Sequence, residues 1–250
     1  MYKTKSTSEL KAIAKEKCLN RYGTLILANI LIFVISLIIV SFTSLSTSGS
    51  IILLLFNQII SIVINVCLGL FISGKAYMYM NVLYSNTVSV SDIFYGMRQN
   101  PDKALKINAF FVLIEYFSGL PLIIFLRYYI ATGSYTYVTS ITYSLIFYLV
   151  VNIYVKITYA PVFFLLHDFP DRSAANLLAT SRKLMKGHRL KYFYLCVTFI
   201  PLFIFSFLAF LIPALWISVY LYASQCAFYQ DLIASASNKA NEKDGEYGFT

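Results

Sequence analysis

The chain has 250 residues, of which 59% are hydrophobic and 12% charged, with a formal charge of +9. A soluble domain carries about 25% charged residues, so this composition excludes an ordinary soluble enzyme or binding module. The positive excess falls in clusters beside long apolar runs. That pattern points to anionic lipid headgroups rather than nucleic acid, each basic residue near such a surface contributing roughly 1 kcal/mol.

In chain order, the first segment holds Lys3, Lys5, Lys11, Lys15, Lys17 and Arg21 before any apolar run. No small-residue cleavage motif follows, so it does not read as a cleaved signal. Within it, Ser6-x-x-Glu9 is a capping-box pattern, in which side chains satisfy the free N–H groups of a helix start. An amphipathic lead-in helix follows, and Gly23 is the expected breaker. Apolar runs at 25–42 and 51–72 are then long enough for the hydrocarbon layer of about 30 Å.

The pattern recurs. Ser89-x-x-Asp92 opens a second lead-in that meets Asn100-Pro101, followed by runs at 107–126 and 144–166. Ser173-x-x-Asn176 opens a third. There Leu177, Leu178, Ser181, Leu184 and Met185 share one helical face and Arg182, Lys183 and Lys186 turn away, with Gly187 as breaker. Runs at 192–212 and 214–232 follow, with Pro213 as a tight turn between two crossings, the alternative being a re-entrant hairpin. The 235–250 segment reads as a polar, disordered cytoplasmic tail.

The fold class implied is an all-α membrane protein, since lipid offers backbone groups no partners. Six transmembrane helices form three helical hairpins, each preceded by a cytoplasmic-side amphipathic helix. Residues 1–234 make one membrane domain, and the nearly even spacing suggests repeat units 6–72, 89–166 and 173–234. All of the 20 Lys and Arg except Arg127 and Lys156 then lie on one side. The positive-inside rule makes that side cytoplasmic, together with both termini. Lead-in helices of this kind would lie in the headgroup plane, apolar face down. Lys11, Lys15, Arg98, Arg182, Lys183, Lys186, Arg189 and Lys191 are the expected headgroup contacts. Tyr128, Tyr129, Tyr135 and Tyr137 fit an interfacial aromatic belt.

The C-terminal third carries a resemblance. It runs Ala179-Thr180-Ser181-Arg182-Lys183-Leu184-Met185-Lys186-Gly187, then Tyr192-Phe193, an apolar hairpin with Trp216, and Ala227-Phe228-Tyr229-Gln230-Asp231-Leu232. This order resembles the bacterial integral membrane proteins grouped as domain of unknown function nine-seven-five. Tyr22-Gly23 and Gly119-Leu120-Pro121 extend the likeness towards the N-terminus. Val219-Tyr220 and Leu122 depart from the family's P-Y and I-P-G elements. The resemblance implies a multi-span membrane protein and no established activity.

Residues with possible chemistry are few. Glu115 and Lys156 sit inside spans at similar depth. They read as a buried ion pair fixing a hairpin, as a charged pair lining a polar cavity, or as side chains that snorkel to the interface. Asn29, Asn57, Gln58, Asn65, Asn108 and Asn152 read as interhelical hydrogen-bonding groups. His167-Asp168-Phe169-Pro170-Asp171 has metal-ligand types but no second His nearby, so a turn with Asp171 capping the next helix is the simpler reading. Cys18, Cys67, Cys196 and Cys226 form no C-x-x-C pair and read as reduced thiols.

No nucleophile elbow, phosphate loop or paired-carboxylate pattern occurs. The expectation is therefore a non-enzymatic protein of the cytoplasmic membrane without metal or cofactor. It would act through anionic lipid, a protein partner or a second copy, in a scaffold, assembly or immunity-type role. The alternative is a small transporter or channel using Glu115 and Lys156. A third reading, a membrane-embedded lipid enzyme, would use His167, Asp168 and Asp171.

Overall fold

The computed structural model describes residues 4–43 and 51–246. Lys3 and the last four residues of the tail lie outside them. All regular structure among the described residues is helical. The chain begins with α1 (Thr7–Cys18) and α2 (Tyr22–Thr43), then α3 (Ile51–Cys67) and α4 (Gly69–Leu83). A 3-10 turn at Val90–Phe94 leads through α5 (Tyr95–Arg98) into α6 (Pro101–Thr132) and α7 (Thr136–Thr158). The remainder is α8 (Val162–Asp168), α9 (Ala174–Leu184), α10 (Arg189–Val197), α11 (Ile200–Leu208) and α12 (Ile212–Glu246).

Local chemistry explains the boundaries. Ser6 and Glu9 form the expected reciprocal box at the start of α1, Glu9 Oε2 accepting from Ser6 N at 2.6 Å. Asp92 Oδ2 accepts from Ser89 N at 2.9 Å, and Ser173 Oγ accepts from Asn176 N at 3.3 Å. Pro161 and Pro201 lack the N–H that a continuous helix needs, and the chain breaks beside each, between α7 and α8 and between α10 and α11. Pro121 lies inside α6 without ending it.

Three expected breaks fall elsewhere. The bend after α1 is made by Asn20 (φ 65°), while Gly23 sits inside α2. Asn tolerates the left-handed region because its short side chain can bond locally. The last hairpin turns through Phe210 (φ 55°) and Leu211 (φ 62°), not at Pro213. Pro213 instead occupies the first turn of α12, where a missing N–H costs nothing. Finally, α12 runs through the segment read as a disordered tail as far as Glu246.

Four helical stretches are long and apolar enough to cross a bilayer: Phe56–Leu83, Pro101–Thr132, Thr136–Asp168 and Arg189–Leu208. A fifth candidate is the pair Thr7–Cys18 and Tyr22–Ile38, bent by 96°. The first of these runs past 72, the expected end of the second span, so Lys75 lies within a helix rather than a loop. Helix α12 is outside this set; its apolar half is interrupted by Ser218, Ser224 and Gln225.

Burial is segregated along the chain. The core is built from α1 (Leu10, Ala14, Cys18), the start of α2 (Leu25, Ala28), α4, Ile93, the start of α6, α8, Leu177, Met185 and the Val219–Leu232 part of α12. The rest of the apolar helices leaves large side chains uncovered, among them Phe33, Phe56, Phe117, Ile130, Phe147, Phe207 and Phe210. Such extensive apolar exposure is foreign to a soluble surface and fits contact with lipid. The lead-in helices turn apolar residues into the core. Leu10, Ala14 and Cys18 recur at helical spacing and are buried against protein, chiefly α12. Leu177, Ser181 and Met185 are likewise buried.

Close backbone contact seals this core. At Gly74 a Cβ would lie 1.7 Å from Ile93 O, and at Gly96 2.1 Å from Leu70 O. Asn108 donates Nδ2–H to Asn65 O (2.7 Å) and Val66 O (3.2 Å), satisfying carbonyls freed where α3 gives way to α4.

Candidate functional site

Two clefts bring together the side chains with chemical potential. The first lies between α3, α6 and α7 and has a volume of about 400 Å³. Its polar wall is Gln58, Ser61, Asn65, Glu115, Tyr116 and Tyr148. Ile62, Val112, Leu122 and Ile123 supply the apolar wall. Glu115 lies about 21 Å along α6 from Pro101 at the helical rise per residue. Its Oε1 accepts a hydrogen bond from the Tyr148 hydroxyl at 3.1 Å. A carboxylate at the centre of a membrane-spanning helix costs about 2.5–3.5 kcal/mol on insertion scales, and a phenol partner offsets part of such a cost.

The expected Glu115–Lys156 pair is not formed. Both side chains are exposed, no ion pair joins them, and Lys156 is not among the cleft residues. Glu115 faces the cleft and Lys156 does not. Tyr148, on the correct face of α7, is the partner that sequence reasoning missed. The hairpin turn at 133–135 sets the register that could have found it, because the same register brings Asn152 Nδ2 to Ser118 Oγ at 3.0 Å. Asn29 also bridges helices, donating to Tyr79 Oη at 3.2 Å. Asn65 stays within its own helix, donating to Ser61 O at 2.8 Å.

The second cleft, about 660 Å³, lies between the end of α7, α9 and the start of α10. Arg182, Lys183, Lys186 and Arg189 line it with Tyr154, Tyr159, Leu178 and Ala179, and no acid is among the lining residues. Arg189 donates to Tyr154 Oη at 3.2 Å, and its guanidinium stands 5.2 Å from the Tyr154 ring centroid. The convergence follows from α9: with Leu177, Ser181 and Met185 buried, Arg182, Lys183 and Lys186 must face outward.

Other predicted residues divide. Lys15 and Arg98 are exposed, as headgroup contacts require. Lys11 is half-buried with its ammonium 4.3 Å from the Phe199 ring centroid. Lys191 is turned inward, its Nζ 3.4 Å from the buried carboxylate of Asp231, so it is not a free headgroup contact. Charge alone could not reveal that, because the acid lies 40 residues away. His167 Nε2 engages Ser73 O at 2.8 Å, Asp168 accepts from the Tyr229 hydroxyl, and Asp171 is exposed. The N-cap of α9 is Ser173 rather than Asp171. No group of three or more His, Cys, Asp or Glu suited to a metal occurs among the described residues. The four cysteines are free thiols.

Residues 1–236 match a family profile described as "Protein of unknown function (DUF975)". The chain belongs to the DUF975 family. The stretches on which its DUF975 resemblance rests hold part of the basic cleft, in Arg182, Lys183 and Lys186, and several packing contacts. Met185 is buried, and Gly187 (φ 86°) makes the turn into α10. Tyr192 packs on Phe228 with ring centroids 5.2 Å apart. Asp231 accepts from the backbone N–H of Lys5 at 3.2 Å as well as from Lys191, so the motif end of α12 fastens the chain's beginning. At the two departures from the DUF975 pattern, Val219 and Leu122, helices α12 and α6 continue unbroken. No curated protein and no solved structure matched the chain.

Proposed function

We propose that this DUF975 protein is a six-span protein of the cytoplasmic membrane, with both termini cytoplasmic, that works by binding anionic phospholipid rather than by catalysis. The single observation behind the reading is the basic cleft, where Arg182, Lys183, Lys186 and Arg189 converge without an acid. A phosphate headgroup offers the oxygen acceptors that guanidinium and ammonium groups demand. Leu178 and Ala179 give its glycerol end an apolar neighbour. In this reading α12 is the sixth crossing, the three serine-capped lead-ins mark a repeated unit, and protein partners assemble on the lipid-bound cytoplasmic face. The Lys and Arg bias supports the orientation.

The test is native mass spectrometry of delipidated protein titrated with phosphatidylglycerol, with phosphatidylcholine as the neutral control. Each cation near a headgroup is worth roughly 1 kcal/mol, about a fivefold change in affinity. Combined Arg182→Gln, Lys183→Gln, Lys186→Gln and Arg189→Gln is therefore expected to lower phosphatidylglycerol binding by well over tenfold and leave phosphatidylcholine unchanged. Equal retention by the quadruple variant would sink the reading. Reporters fused at either end should become accessible only after the cell is opened.

A further inference from the structure

We infer that the cleft around Glu115 is a binding site for a primary ammonium compound carrying an apolar group. The site is distinct from the basic cleft and does not depend on it. Its lining residues include one carboxylate and no cation. Several acceptors on this wall stand open. Tyr148 spends its hydroxyl proton on Glu115 Oε1. Asn65 spends its Nδ2–H on Ser61 O, which leaves its Oδ1 as an acceptor. The second carboxylate oxygen of Glu115 remains for a ligand. An –NH₃⁺ group presents three donors and no acceptor, and the open Glu115 and Asn65 oxygens can accept them.

Size and polarity exclude simpler occupants. A volume of about 400 Å³ far exceeds what a bare ion needs, and one carboxylate does not balance a divalent metal. Ile62, Val112, Leu122 and Ile123 require an apolar body opposite the charged head. On the membrane-spanning reading, the open side of the cleft faces acyl chains, so such a compound can enter laterally from the bilayer.

The ammonium could belong to a free amine or to an aminophospholipid, and one experiment separates them. The full chain is placed in nanodiscs of phosphatidylcholine and phosphatidylglycerol, which hold no primary ammonium. Binding of radiolabelled 2-phenylethylammonium is then measured, with 2-phenylethanol as the uncharged isostere. Saturable binding is expected for the amine only. Glu115→Gln, which keeps an acceptor for Tyr148, should weaken it at least tenfold, and Lys156→Gln should leave it unchanged. Ser61→Phe, which fills the cleft and keeps the carboxylate, should abolish saturable binding at an unaltered thermal midpoint. Competition by added phosphatidylethanolamine would assign the ammonium to a lipid, and its absence to a free amine; either supports the site. Wild-type affinity in Glu115→Gln or Ser61→Phe, equal binding of 2-phenylethanol, or no saturable binding to the wild type would overturn it.

Discussion

Gly74→Ala is expected to yield no monodisperse folded protein. A Cβ at this position would lie 1.7 Å from Ile93 O and 2.4 Å from Ile93 C, both main-chain atoms. Neither side can yield. Ile93 is fully buried, and its 3-10 turn is clamped by the Ser89–Asp92 box. On the other flank, a Cβ at Gly96 would lie 2.1 Å from Leu70 O and 2.9 Å from Gly74 N, so a shift that frees Gly74 disturbs a second contact. Overpacking by a methyl group ordinarily costs about 1–3 kcal/mol because side chains adjust; here backbone meets backbone, and the cost lies above that range. Gly23→Ala is the matched control. It sits inside α2 with nothing within 4 Å of the added Cβ, and alanine's helix preference should add about 0.5–1 kcal/mol. Fluorescence-detected size exclusion and the thermal midpoint in detergent read both. A Gly74→Ala protein melting with the wild type would mean that α4 and the 3-10 turn do not pack this closely.

The second large effect is at the clasp on α12. Lys191→Met should destabilise the protein by about 3–5 kcal/mol, the usual result of removing one partner from a buried ion pair. The Asp231 side chain is only 2% exposed, so its charge cannot turn to water, whereas Lys191 at 24% can. The asymmetry predicts an order. Combined Lys191→Met and Asp231→Leu should recover much of the loss, since a packed apolar pair often replaces a buried ion pair without penalty. Recovery should be incomplete, because the Lys5 N–H loses its acceptor. Thermal midpoints of the three variants test this. A double variant no better than Lys191→Met would show that the carboxylate's other contacts, not its lysine, hold the clasp.

Features set by neighbours in the chain were legible in the sequence. The caps at Ser6, Ser89 and Ser173 depend on three-residue spacing and were read correctly. So was the long apolar character of the helices. Features set by packing were not. The turns at Asn20 and at Phe210–Leu211 use left-handed residues other than glycine, so no glycine advertised them. The amphipathic stripe of α1 was visible, but a stripe does not say whether lipid or protein will cover it, and here α12 does. Glu115 stood out as an acid in an apolar run. Its partner depended on helical rotation, which puts Tyr148 beside it and leaves Lys156 outside. The basic block at 182–191 was equally visible, yet only the fold divides it into four residues around a cleft and one, Lys191, bound to Asp231.

The clasp has a consequence for biosynthesis. Helix α1 is made before α12, and its buried stripe rests mainly on that helix. The Lys5 N–H waits for Asp231 in the same way. Until α12 has been made, α1 therefore lacks its main seat, and its packing can be completed only afterwards. Products cut short before α12 lack the main cover of that stripe.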